Sequence, residues 1–202
     1  MTTVVHYLCA HSLYTWLGIE RLIALGRQYG FAIEHRPIDL HTVMEAAGST
    51  RFEERSRAHL RYFFSVEAAR WADFRVVEWM GRIPTHHMKS YDLANRVLIA
   101  ADTLGLDVGA VAAAVLRAHW VDDADLSDTA VLQSILETAS YPASALLERA
   151  QGDGAAQAYS ANTQAAIDAS VFGAPTYVLG EEMFYGQDRL ELLAWRLEQR
   201  RG

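Results

Sequence analysis

The chain holds one cysteine, Cys9, and one lysine, Lys89, in 202 residues. A lone thiol excludes an internal disulfide framework and any zinc site built on several cysteines. The stretch Cys9-Ala10-His11-Ser12 has Cys-x-x-Ser spacing, but Cys9 falls at the end of an apolar strand pattern and reads as a core cysteine. The other 17 basic residues are arginines, so an anion held by a side-chain cation is held by arginine, or else by backbone amides. Positive charge is in deficit: 18 Lys+Arg against 25 Asp+Glu give a net −7. That balance argues against a nucleic-acid partner gripped by its phosphates. No apolar run approaches the roughly 18 residues of a membrane span, so no membrane partner is expected. Met1 to Leu8 shows neither a basic n-region nor a small-residue cleavage pattern, and the expected location is cytoplasmic. What remains, 51% hydrophobic and 21% charged residues, is the composition of a folded globular protein with chain enough for its own core.

Hydrophobic patterning divides the chain into three stretches. Val4–Leu8 is an apolar run of strand length. Leu13–Tyr29 has helical spacing, with Ser12 before it and Gly30 where a helix-ending glycine belongs. Phe31–Ile38 reads as a second strand, and strand–helix–strand implies a parallel pair. From His41 to Ser170 the pattern is helical throughout, with starts expected near Ser49 or Thr50, Ser90, Asp107, Ser127 and Asp153, and Pro142 in a first turn. Pro175–Leu179 and Met183–Tyr185 read as a hairpin turning at Gly180-Glu181-Glu182, and Gln187–Arg200 as a closing amphipathic helix. The expected fold class is α/β: a thioredoxin-like βαβ…ββα core with a large all-helical insertion. Residues 1–40 and 171–202 form the thioredoxin-like domain, and 41–170 the insertion domain.

The run Asn162 to Leu190, containing Val171-Phe172-Gly173-Ala174-Pro175-Thr176-Tyr177 and Gly186-Gln187-Asp188-Arg189, resembles the C-terminal signature of the 2-hydroxychromene-2-carboxylate isomerase family. That family is related to kappa-class glutathione transferases and to DsbA-like proteins. Ser12-Leu13-Tyr14-Thr15-Trp16-Leu17 resembles its N-terminal box. The two motifs lie at opposite ends, so the resemblance spans nearly the whole chain.

The resemblance implies a glutathione-dependent isomerase of an aromatic, unsaturated keto acid. It implies glutathione as cofactor, a small aromatic molecule as substrate and a homodimer as the assembly. Ser12 is the implied catalytic residue. A hydroxyl at a helix N-terminus stabilises an anion, including a thiolate supplied from outside. The Ala174–Pro175 bond is expected to be cis, with the Ala174 backbone pairing with the cysteinyl backbone of glutathione. Gln187 and Asp188 are expected at its γ-glutamyl end, and Ser49 and Asn162 complete the implied cofactor set. Tyr14 is the candidate substrate contact.

The chain departs from the family pattern in three places. Leu13 replaces a proline, Gly48-Ser49 replaces Gly-Asn, and His59 or Leu60 stands near the usual lysine, for which Arg57 or Arg61 is the candidate substitute. Two alternatives stand beside the isomerase: a kappa-like transferase that releases the glutathione adduct, and a binding protein that keeps the fold without catalysis. His11 beside Ser12 does not read as a hydrolase pair, because adjacent side chains diverge and no G-x-S-x-G elbow is present. His86-His87, with His41 and His119, lack metal-ligand spacing, and no metal is expected; they read as pocket or surface residues.

Overall fold

The computed structural model describes residues 2–50 and 54–200. Strand β1 (Thr3–Leu8) leads into helix α1 (Leu13–Tyr29) and strand β2 (Ala32–Pro37). The helices α2 (Leu40–Ala46), α3 (Arg57–Arg61), α4 (Ala68–Arg75), α5 (Asp92–Thr103), α6 (Val108–Trp120), α7 (Thr129–Thr138), α8 (Ala143–Gln151) and α9 (Asp153–Asp168) follow. A π-helical segment, Tyr62–Glu67, joins α3 to α4. Strands β3 (Thr176–Leu179) and β4 (Glu182–Tyr185), a 3-10 turn at Gln187–Arg189 and α10 (Leu190–Gln199) close the chain.

The four strands lie in the order β2-β1-β3-β4. β1 and β2 are parallel, while β3 runs antiparallel to both β1 and β4. This is the α/β thioredoxin-like arrangement expected from the sequence. β1 is central and covered on both faces, which is why it reads as a continuous apolar run and not an alternating one. Val4 packs with Leu22, Leu25, Leu190 and Leu193. Tyr7 packs with Ile38, Val43 and Val171.

α1 starts because Ser12 is extended (ψ 122°) and its Oγ accepts from the Thr15 amide. It ends because Gly30 takes the left-handed conformation (φ 70°) and donates to the Gly26 carbonyl. Leu13, Trp16, Leu17 and Ile19 of α1 share the largest core with Val97 and Leu98 of α5 and with Val115 and Leu116 of α6. Each such leucine contributes about 1.5–3 kcal/mol by leaving water. The mouth of α1 is thus anchored from both the sheet and the helices.

Several boundaries differ from expectation. Residues 76–91 contain no helix: α4 stops at Val76, which is itself left-handed (φ 56°). α2 is capped by Asp39, and α3 by Ser56 in place of Ser49 or Thr50; residues 51–53 lie outside the described residues. Tyr91 and Asp128 occupy the caps expected of Ser90 and Ser127, and Pro142 sits in a cap position, not a first turn. Asp107 caps α6 as expected. Among the described residues no helix is long and apolar enough to cross a membrane.

Candidate active site

A cavity of about 460 Å³ opens where the β1–α1 turn meets the residues before β3. Ser12, Tyr14, Ser49 and Ala174 line it. Ser12 is only 8% exposed, and that small exposure faces the cavity. Its Oγ donates to the Ala174 carbonyl at 3.4 Å while accepting from the Thr15 amide at 3.3 Å. The first contact is long for a hydroxyl donor, so the Ser12 proton is held weakly and can turn to a stronger acceptor in the cavity. The Ala174–Pro175 peptide bond is cis.

Tyr14 donates its hydroxyl to the Phe63 carbonyl at 2.9 Å, and burial, then Glu67, pushes its phenol upward. It is a neutral donor already engaged. Phe63 and Phe64, both on the π-helical segment, form the aromatic side of the cavity with Met44 and Met88. Single π turns recur at functional sites because they re-aim a helix face.

Gln187, Asp188 and Asn162 are not among the cavity-lining residues. Gln187 is buried against α1, and a Cβ at Gly18 would come within 2.6 Å of its Cβ. Arg75 donates from Nε to Gln187 Oε1 at 3.1 Å and from Nη2 to its carbonyl at 3.0 Å. Gln187 Nε2 is buried without a partner. Asp188 pairs with Arg189 at 2.9 Å, yet its charge helps hold the phenols of Tyr14 and Tyr185 up, behind the larger effect of burial. Asn162 lies half-buried on α9.

Other residues were not legible as a site. Neither Arg57 nor Arg61 lines the cavity; Arg55 does, with its guanidinium 5.9 Å from the Phe63 ring centroid. Lys89 lines it too, while ion-paired to Asp125 at 2.6 Å. Asn95 is fully buried on α5. It accepts from the Ala10 amide at 2.8 Å and donates to the Ile38 carbonyl at 3.2 Å, fixing the turn that carries Ser12. Its signal was a lone amide in the apolar run Ala94–Ala101, since buried polar groups must find partners. Cys9 is fully buried, and burial pushes its thiol up to about 12. It is inert at neutral pH, so the site has no thiolate of its own.

The DsbA-like thioredoxin domain family matches residues 3–198. A 2-hydroxychromene-2-carboxylate isomerase of Pseudomonas sp. (strain C18) is 32% identical over 186 residues, spanning 90% of this chain and 84% of that protein. The chain belongs to the 2-hydroxychromene-2-carboxylate isomerase family of DsbA-like proteins. A solved structure of a 2-hydroxychromene-2-carboxylate isomerase superposes with a TM-score of 0.85 at 26% identity, covering 98% of this chain and 95% of that one. A cytosolic disulfide reductase of Pseudomonas aeruginosa, solved with glutathione, shares the fold alone: its TM-score is 0.67 at 13% identity, with 98% of each chain covered. Besides the residues named above, the same cavity is lined by His11, His41 and His87.

Proposed function

We propose that the protein is a glutathione-dependent isomerase acting on an aromatic, unsaturated keto acid of the 2-hydroxychromene-2-carboxylate class. The observation that carries this reading is Ser12, set at the N-terminus of α1, facing Ala174 across the cavity mouth with its proton in a long, weak contact. The residues present suit a bound thiol peptide: a hydroxyl, a helix N-terminus and a cis Ala174–Pro175 segment converge where the chain has no accessible sulfur of its own. Glutathione, when bound, supplies a thiolate that adds reversibly to a conjugated double bond and so permits rotation about it.

The chain's residues do the rest. Ser12 donates its hydroxyl proton to the anion as a hydrogen bond, and the α1 amides add a partial positive charge. Ala174 offers its main chain to the cofactor in strand fashion. Ser49 faces the same space, and Asp188 provides the carboxylate for the γ-glutamyl ammonium. Gln187, fixed by Arg75 and buried against α1, holds the turn that carries Asp188. Phe63 and Phe64 stack against the aromatic ring of the substrate, Tyr14 packs at its edge with its hydroxyl held by the Phe63 carbonyl, and Arg55 receives the carboxylate. The homodimer and the cytoplasmic setting belong to the same reading.

The test compares conversion of a chromene carboxylate by wild type and Ser12→Ala, with and without glutathione. We expect a glutathione requirement, full recovery of glutathione, and a roughly 10–100-fold loss in Ser12→Ala, the value of a hydrogen bond to a charged group. Equal rates in the two proteins would overturn the role of Ser12. Stoichiometric consumption of glutathione would replace the isomerase by a transferase.

A further inference from the structure

Behind the cavity wall lies a chain of imidazoles. His87 lines the cavity, and its Nδ1 is 3.0 Å from His119 Nε2. His119 Nδ1 is 3.0 Å from the Ala124 carbonyl. A carbonyl only accepts, so His119 carries its proton on Nδ1 and its Nε2 is an acceptor. His87 must then donate from Nδ1, which leaves Nε2 as its unprotonated nitrogen in a residue that lines the cavity. The His11 ring stacks on His87 at 4.7 Å, and Phe64 and Trp120 pack around it.

We propose that His87 is the proton-transferring residue of this cavity, with His119 as the second link of the relay. The assignment rests on the chromene-carboxylate reading. A 2-hydroxychromene-2-carboxylate is a cyclic hemiketal. Opening it breaks the bond between the hydroxylated carbon and the ring oxygen. The hydroxyl gives up its proton, and its electron pair forms the carbonyl. The pair of the broken bond stays on the ring oxygen, which takes a proton to become the phenol. One proton leaves and one arrives, with no change of oxidation state. His87 Nε2 accepts the first and delivers the second. Between these events the Nδ1 proton crosses to His119 Nε2, and the positive charge rests on His119, hydrogen-bonded at both nitrogens.

The charges around the pair favour this direction. Burial, then His119 and His41, hold the His87 imidazole down to about 3. Burial lowers His119 as well, but the Ala124 carbonyl and the carboxylates of Asp123 and Asp125 pull it back up against His86. Lys89 and Arg82 are neutralised by those carboxylates, and Tyr91 stacks on His11 as a neutral phenol. Asp123, Asp125 and the Ala124 carbonyl thus favour the charge on His119 over His87.

The experiment uses the full chain with glutathione and a chromene carboxylate. Ring-nitrogen NMR should find His87 and His119 both protonated at Nδ1 and bare at Nε2. His87→Gln should lose about 10²–10⁴-fold in kcat/KM, while glutathione binding by calorimetry and Tm stay near wild type. Added imidazole should restore part of the rate of His87→Ala. His119→Gln keeps an acceptor for His87 but takes up no proton, so the acid limb of its pH profile should move to lower pH. An active wild type with His87→Gln within threefold of it, or Nε2-protonated His87, overturns the relay alone. A wild type that converts no chromene carboxylate overturns the isomerase reading and this proton's role with it.

Discussion

In the proposed function Ser12 does at residue scale what a cysteine does in thiol-bearing sites of this fold: it occupies the N-terminal end of α1, where unpaired amides favour an anion. In that reading the sulfur comes from glutathione, because Cys9, three residues earlier, is sealed in the core and pushed up to about 12. Its Sγ lies 3.0 Å from His11 Nδ1. Cys9→Ala is therefore expected to retain glutathione-dependent activity within about threefold while losing roughly 1–2 kcal/mol of stability, measured by rates and urea unfolding together. The buried histidines carry a second prediction. His6 and His11 are held well below their ordinary value, first by burial, and His35 is held down to about 4. The unfolded chain binds protons near pH 6.5 that the folded chain refuses, so stability is complete above that pH and falls as pH drops toward 4. Each histidine adds about 1.4 kcal/mol per pH unit to the decline. Urea midpoints between pH 7.5 and pH 5 should fall accordingly, and replacing His6 and His35 by a packed apolar pair should flatten the slope.

Elements were legible where a local signal matched the winning force. α1 had a serine cap and a left-handed glycine, and both act as caps. The hairpin β3–β4 turns at Gly180 (φ 66°), where glycine meets no steric cost. The stretch 76–91 misled because Val77, Met80 and Ile83 recur at helical spacing. Pro84 is buried there, and the Met80 amide bonds to the Trp120 carbonyl in place of its own turn. The π-helical segment has no signature in a 3.6-residue pattern, so the cavity's aromatic wall was invisible in sequence. Two substitutions test this scale. Val76 is 91% exposed and left-handed, so Val76→Gly should raise the unfolding free energy by about 1 kcal/mol, seen as a higher urea midpoint with no change in slope. A side chain at Gly18 would crowd Gln187 and the Tyr177 hydroxyl. Gly18→Ala should cost about 1–3 kcal/mol and weaken glutathione binding in calorimetry, because the final turn moves away from α1.

Across the whole molecule, the cavity exists because distant stretches of chain meet. Ser12 follows β1, Ala174 precedes β3, and Phe63 and Phe64 come from the segment between the halves. The two end motifs were readable in sequence because each is local. Arg75 on Gln187, Asn95 under the Ser12 turn, and His87 on His119 were not, since each pairs residues from 32 to 112 positions apart. Arg75 also bonds Glu191 at 2.6 Å, tying α4 to α10. The proposed function turns on one quantity, the acidity of glutathione bound beside Ser12. The direct measurement is an ultraviolet thiolate titration of glutathione on wild type and on Ser12→Ala; Cys9, still protonated, adds no signal near neutral pH. Wild type should ionise bound glutathione about 1–3 units below the free thiol value near 8.5, and Ser12→Ala should give back most of that shift. An unshifted thiol in wild type, or the same shift in both proteins, would contradict it.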